Sequence, residues 1–416
     1  MKSKLVLILL FLLAVSSQAQ NTLTLDDCYA LATKNYPLSK QGVLLQQKAS
    51  YEIEALSKGK LPKIDLNAQA TYQSDVIGFP AAFPGVSPLN KDQYRATLDV
   101  NQLIYNGGTI AANTTLKGAQ TKTQQQQVTV SLYQLKSRIN QYYFSLLVLQ
   151  QKSALLLSKN ELLELKVKEV KAAVKFGAVL PASEQVLEAE IIKINQQLTE
   201  IKFEKIKLLN NLSELTFTKI DFETIVVSPD FNSINASVMR PEIALYDLQN
   251  QQLEFSKNVI SKSNLPKINA FGQAGYGNPG LNMLDNSFQT FYVVGLKANW
   301  NVFDWGKTKT DLKALDVSKE LVTSEKETFE LNNKMQLEEL DYEIKKMEQL
   351  LFSDGEIITI REKIIKSSDA QMKNGVITAS EYLTELTNLF EAKNILNVHE
   401  VQLVAAKSNY QITKGK

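Results

Sequence analysis

Two periodicities divide the chain. Residues 63 to 76 alternate apolar Ile64, Leu66, Ala68, Ala70 and Tyr72 with polar Lys63, Asp65, Asn67, Gln69 and Thr71. Residues 93 to 104 alternate Tyr94, Ala96, Leu98 and Val100 with Arg95, Thr97, Asp99 and Asn101. A period of two with one polar face predicts strands. The same texture returns at 267 to 277 and 289 to 303, the latter with Tyr292, Val294, Leu296, Ala298, Trp300 and Val302 on one face. Pro80, Pro84 and Pro88 mark the loop within the first pair, and Gly277, Pro279 and Gly280 the loop within the second.

The other periodicity is helical. Glycine and proline are absent from 119 to 176, 182 to 228, 307 to 354 and 376 to 414, and these tracts are rich in Leu, Lys, Glu and Gln. In the first, alternate steps of four and three visit Val128, Leu132, Leu135, Ile139, Tyr142, Leu146, Leu149, Ser153, Leu156, Asn160, Leu163, Val167, Val170 and Val174. Twelve of these fourteen are apolar, the seam of a left-handed coiled coil. Leu337, Leu340, Ile344, Met347 and Leu351 form a comparable stripe later. Gly107 to Gly177 and Gly306 to Gly375 span 70 and 69 residues, or ~100 Å at ~1.5 Å per helical residue.

The chain is internally duplicated. Residues 57 to 72 align without a gap to 261 to 276 with nine of sixteen identical, where chance gives about one. Upstream, Pro37 meets Pro241 and Leu44 meets Leu248; downstream, Gly107 is matched to Gly306 and Phe176-Gly177 to Asn374-Gly375. A first repeat is therefore expected over 20–215, with strands near 63–76 and 93–104, a long helix near 109–176 and a return helix near 182–215. A linker over 216–238 leads to a second repeat over 239–416. Its strands are expected near 267–277 and 289–303, its long helix near 307–374 and its return helix near 378–413.

Composition removes classes of function. Forty-six basic against 44 acidic residues give a net charge of +2 with the signs interspersed, which leaves no basic face for nucleic acid. One Cys, Cys28, and one His, His399, exclude the usual zinc cages and thiol or serine relays, so metal or nucleophilic catalysis would have to rest on carboxylates alone, and no enzymatic chemistry is expected. Cys28 reads as a small core residue, and His399 as a solvated or capping residue rather than a ligand. At the start, Lys2 and Lys4, eleven apolar residues from Leu5 to Val15 and small residues to Ala19 read as a secretory signal over 1–19. Nothing else in the chain reaches eighteen apolar residues in a row, so membrane entry would have to be by strands.

Each strand has about the ten residues that a tilted strand needs to cross a bilayer. Four strands cannot close, because the smallest spanning barrels have about eight and an open edge in lipid leaves backbone groups unpaired. Transmembrane strands here would require copies of the chain to meet edge to edge. The alternative is a soluble sheet capping a periplasmic coiled coil, as in an adaptor or scaffold that does not span the membrane. Trp300 and Trp305, with Phe291 and Tyr292, read either as an interfacial aromatic belt or as ordinary strand packing.

Taken together, several strings resemble the TolC-like outer-membrane efflux family over nearly the whole mature chain. They are Leu23-Thr24-Leu25-Asp26-Asp27-Cys28-Tyr29-Ala30-Leu31-Ala32 with Tyr36-Pro37, Arg240-Pro241-Glu242-Ile243, the two Leu-Pro-Lys-Ile strand starts, and Phe303-Asp304-Trp305-Gly306. The resemblance implies a mainly α fold with membrane β. In a homotrimer, four strands per chain would build a twelve-stranded barrel in the outer membrane of a Gram-negative bacterium, and the long helices a periplasmic α-barrel. It implies a passive exit duct, fed by an inner-membrane pump of RND or ABC type through a periplasmic adaptor protein, and hence no nucleotide or other cofactor.

The turns Gly177-Ala178-Val179-Leu180-Pro181-Ala182-Ser183-Glu184 and Gly375-Val376-Ile377-Thr378-Ala379-Ser380-Glu381 interrupt the helices at equivalent places. Glycine should end one helix, and the serine hydroxyl should cap the next. By the resemblance, Gly177, Ser183, Glu184, Gly375, Ser380 and Glu381 mark the tips where the adaptor docks, and Glu381 is a pore-entrance acid that a trimer makes a ring of three. From the residues alone, Glu184 and Glu381 are equally well read as solvated first-turn acids favoured by the helix dipole. Pro181, Ile377 and Thr384 depart from the family pattern, so closure by a charged latch is not expected.

Overall fold

The structure, a computed structural model, describes residues 22–77, 88–231 and 240–416. The expected signal segment, Pro80, Pro84 and residues 232–238 of the expected linker lie outside the described residues. The described elements run β1 (Thr22–Leu23), α1 (Leu25–Asn35), α2 (Gln41–Lys58), β2 (Lys63–Tyr72), β3 (Asp92–Tyr105), α3 (Thr109–Lys175), α4 (Ala182–Thr216), β4 (Ile225–Val226), α5 (Pro241–Ser263), β5 (Lys267–Asn278), β6 (Gln289–Asn299), α6 (Lys307–Lys373) and α7 (Ala379–Lys414). The fold class is mainly helical with four long strands, in the order read from the sequence.

Two compact units are present: one comprises Met1–Lys40, Val128–Pro241 and Thr328–Lys416, the other Gln41–Gln127 and Glu242–Glu327. Neither coincides with a sequence repeat. Each repeat contributes to both units, because β3 of the first repeat pairs with β5 of the second.

The first unit is helical. None of the fourteen predicted seam positions of α3 is exposed. Leu135, Ile139 and Leu146 join Leu25, Cys28, Leu212 and Val401 in one core, and Leu163 and Val170 join Leu187, Ile194, Tyr382 and Leu386 in another. Burial first, then the neighbouring Asp27 charge, pushes the Cys28 thiol up to about 12, so it stays a neutral core residue. The described part of the predicted linker is tied down by polar side chains of α3. Gln150 exchanges hydrogen bonds with both backbone groups of Val226, at 3.1 and 3.2 Å. Val226 also pairs with Leu23 in the parallel β1–β4 ladder.

The second unit is built on an antiparallel sheet in the order β2-β3-β5-β6. Strand β6 ends at Asn299, four residues short of the predicted 303. Its partner β5 starts at Lys267, preceded by Pro266, which has no N–H to extend the ladder. Strand β2 likewise ends at Tyr72, opposite Asp92. Helix α2 is tied to the first turns of α3 by Lys117–Glu52 at 3.3 Å and by Gln125 donating to the Gly42 carbonyl at 3.0 Å. Helix α5 is tied to α6 by Lys326–Asp247 at 2.8 Å and by ion pairs of Lys257 with Asp316 and Lys319 with Glu254.

The strand-to-helix corners correct the alignment of the repeats. Asn106 Oδ1 accepts from Gly108 N at 3.0 Å, and Asp304 Oδ1 accepts from Gly306 N at 2.9 Å. Gly107 therefore corresponds to Trp305, not to Gly306. Both lie in the left-handed region, at φ 67° and 55°. The offset of 198 then holds from one end of the long helices to the other.

Candidate functional site

The helix-to-helix turns end their long helices identically. Ala178 N reaches Ala173 O and Gly177 N reaches Val174 O, both at 2.9 Å; Val376 N reaches Gln371 O at 2.8 Å and Gly375 N reaches Met372 O at 3.1 Å. Gly177 and Gly375 supply the left-handed residue at φ 70° and 72°.

The return helices start differently, and neither starts on a serine. Thr378 caps α7: Glu381 N donates to its hydroxyl at 3.2 Å, and Thr378 N donates to the Glu381 carboxylate at 2.7 Å. In the first turn the cap position of α4 holds Pro181, which makes no side-chain cap bond. Ser183 and Ser380 thus sit inside the first helical turns, contrary to the expected serine caps, because the chain enters each helix two residues earlier. Thr384 hydrogen-bonds back to the Ser380 carbonyl at 3.0 Å, and Ile377 packs against the second core.

The two acids have different surroundings. Glu381 is held below the usual carboxylate range by the Thr378 N–H and then by its hydroxyl. Glu184 is mostly covered and pairs with Lys171 at 3.0 Å. The structure brings the turns together around a cleft of about 580 Å³ whose walls include Val179, Leu180, Ser183, Gly375, Val376 and Ile377. Gly177, Glu184, Ser380 and Glu381 are not among its walls.

Above the turns, two buried lysines escaped the sequence reading. Lys166 contacts Glu169 and Asp369, both at 2.6 Å, and Lys159 contacts Glu190 at 2.8 Å and Thr387 at 3.2 Å. Burial works against the Lys166 charge, but its two carboxylate hydrogen bonds prevail and hold it above the ordinary lysine range. Asp369 is held below its ordinary range: burial opposes this, and Lys166 and Lys373 outweigh it. A sequence signal existed, because Lys152, Lys159 and Lys166 are seven residues apart and share one heptad position beside the apolar seam. His399, read as solvated or capping, instead contacts Asp354 across α6 and α7 at 2.6 Å.

The sheet has two unlike faces. On one, Ile64, Leu66, Tyr72, Leu98, Tyr276, Tyr292, Val294 and Leu296 are exposed, with no helix over them. The other carries a polar network in which Asn67 and Gln273 donate to Asp99 at 2.5 Å each and Thr97 donates at 3.0 Å. Phe291 lies on this polar face, its ring over Gly275 and Arg95 5.4 Å from its centre, so it does not belong with exposed Tyr292, Trp300 and Trp305. A Cβ on Gly275 would come 2.4 Å from the Phe291 ring, which is why glycine stands there. Among the described residues, no helix is long and apolar enough to cross a membrane, and no group of three or more His, Cys, Asp or Glu is placed to hold a metal.

The sequence matches no protein-family model and none of the curated proteins. Solved structures do match. The CmeC outer membrane channel of Campylobacter jejuni superposes with a TM-score of 0.66 at 17% identity, over 94% of this chain and 85% of that one. The outer membrane protein VceC of Vibrio cholerae gives 0.67 at 13% identity, over 94% and 96%. The chain has the TolC-like channel fold. The MtrE outer membrane channel of Neisseria gonorrhoeae, crystallised in its open state, gives 0.64 at 14% identity, over 94% and 88%. At these identities the likeness is one of fold, and within the TolC-like fold the features open to function are the two turns and the two faces of the sheet.

Proposed function

We propose that this chain is one protomer of a passive exit duct in the outer membrane, whose sheet joins those of further copies in a closed barrel and whose long helices continue the conduit through the periplasm. The observation that carries this reading is the sheet: every strand contributes to one largely apolar, exposed face with no helix over it, while the opposite face is polar and internally hydrogen-bonded. That is the pattern of a lipid-facing barrel wall with a polar interior. The TolC-like fold supports a trimer, giving twelve strands. In this reading substrate passes without chemistry, an inner-membrane pump supplies the energy, and a periplasmic adaptor docks at the turns around Gly177, Ser183, Glu184, Gly375, Ser380 and Glu381. Purified protein run unheated on a denaturing gel should migrate as a heat-dissociable oligomer and conduct ions in planar bilayers. A protein recovered as a water-soluble monomer, without conductance, overturns the proposal and favours the soluble scaffold.

A further inference from the structure

The two ends of the sheet differ in charge. At the loop end, residues 73–92 and 278–289 carry Asp75, Asp92 and Asp285 against Lys91 alone. At the helical end, where β2 and β5 start and β3 and β6 finish, residues 58–63, 105–109, 262–267 and 299–309 carry seven lysines and one acid, Asp304. That acid is engaged by its own corner, where Asp304 accepts from Gly306 N at 2.9 Å and from Thr308 N at 2.8 Å. Lys58, Lys63 and Lys307 each have a carboxylate in their own segment, Glu54 at 2.7 Å, Asp65 at 3.1 Å and Asp311 at 2.5 Å. Lys60, Lys262, Lys267 and Lys309 are exposed and make no ion pair among the described residues.

These four charges border apolar surface. Leu61, Tyr105, Trp300, Val302, Phe303 and Trp305 are all exposed at the same end. Tyr105 is there because of a bulge: Leu103 pairs with Asn269 and Tyr105 with Ile268, so the extra residue turns Tyr105 to the side of Ile268. The Lys60 carbonyl accepts from Gln102 at 2.7 Å and the Lys262 carbonyl from the Thr109 hydroxyl at 3.3 Å, which places the two lysines on the β2 and β5 sides of the β3–α3 corner. Lys267 pairs across the sheet with Asn299, next to Trp300, and Lys309 lies in the first turn of α6, just beyond Trp305. A lysine stem can lie along such apolar surface while its ammonium reaches a headgroup.

We propose that the helical rim of the sheet binds anionic phospholipid, with acyl chains on the exposed apolar residues and phosphates at Lys60, Lys262, Lys267 and Lys309. The proposal rests on the duct reading, which puts this rim at the periplasmic headgroup level, and adds the class of lipid held there. A zwitterionic headgroup brings its own positive charge beside each lysine, whereas an anionic one brings none, so unpaired lysines select the anionic lipid. The loop end, where acids prevail, offers no such selection.

The chain carries its own probe. Trp300 and Trp305 are its two tryptophans, and both are exposed at this rim. Bromine on an acyl chain quenches an indole that it touches. In phosphatidylcholine vesicles, a minor fraction of brominated phosphatidylglycerol should quench the tryptophans about twofold more than the same fraction of brominated phosphatidylcholine, and added sodium chloride should shrink the excess. The variant carrying Lys60→Gln, Lys262→Gln, Lys267→Gln and Lys309→Gln should lose the excess while it still runs as an oligomer and conducts. Equal quenching by the two lipids overturns the proposal, as does an excess that salt leaves unmoved or that the conducting variant retains. Inorganic phosphate that removes the excess where chloride of equal ionic strength does not would assign the lysines to free phosphate and overturn the lipid assignment. Tryptophans quenched by neither lipid would lie outside the bilayer and overturn the underlying duct reading as well.

Discussion

The two repeats reach one geometry by different chemistry. Their long helices have equal length and end in the same glycine motif, yet the residues that secure the following turn are exchanged. At position 171 the first repeat has a lysine, which takes Glu184 of the return helix. At the equivalent position, 369, the second repeat has an aspartate, which turns instead to Lys166 of the first repeat's long helix. Glu381, with no lysine offered there, closes the Thr378 capping box. The corners differ in the same spirit: Gly107 is packed against Leu265, whereas the exposed Trp305 ring meets only Phe303, edge to face at 4.8 Å, among the described ring contacts. A duplicated chain keeps its backbone while each copy of a position acquires its own partner, because the two occupy non-equivalent places in the assembled fold.

The largest test of this asymmetry is Gly107→Ala. It adds a clashing Cβ at positive φ and should lower stability by about 3 kcal/mol in thermal unfolding in detergent. Asp369→Ala should cost about 2 kcal/mol. Lys166 is buried and keeps only Glu169 as a carboxylate partner, beside the Tyr382 ring, while partial exposure of Asp369 trims the loss. Its pH dependence has a defined sign. The depressed Asp369 pKa stabilises above the unfolded value, so the difference from the native protein should close as pH falls below about 4. The raised Lys166 pKa contributes below its unfolded value, so the difference should persist up to about pH 10.

Thr378→Ala removes one cap and should cost about 1 kcal/mol, whereas Pro181→Ala, where no side-chain cap exists, should not show this loss; parallel unfolding curves compare the two turns directly. Trp305→Gly should raise the stability of the isolated chain by somewhat under 1 kcal/mol, since it relieves a bulky residue at φ 55°. The smallest expected effect on stability is that of Glu381→Gln, because glutamine still accepts from Thr378 N at the third helical position. Bilayer conductance gives this variant its purpose: lowered cation preference places a charged ring at the entrance, and unchanged preference leaves Glu381 as a capping residue only.

Elements were legible where one periodicity ran uninterrupted. The α3 seam was read residue by residue because a heptad pattern needs only local spacing, and each strand's faces followed from alternation. The caps were not legible, since Thr378 and Ser380 are both good capping residues and only the backbone path selects one. Lys159 and Lys166 did not stand out in the sequence, because lysine is usually a solvent-facing charge and the acids Glu190 and Asp369 that hold them lie on other helices, 31 and 203 residues away.

The sequence by itself determined the duplication, the helical and strand texture and the apolar face on every strand, because these are periodic properties that neighbouring residues carry between them. Only the tertiary structure decided that Gly107 answers to Trp305, that the compact units cut across the repeats, and which acid each buried lysine takes. Those depend on hydrogen bonds and contacts between segments far apart along the chain, and no local spacing encodes them.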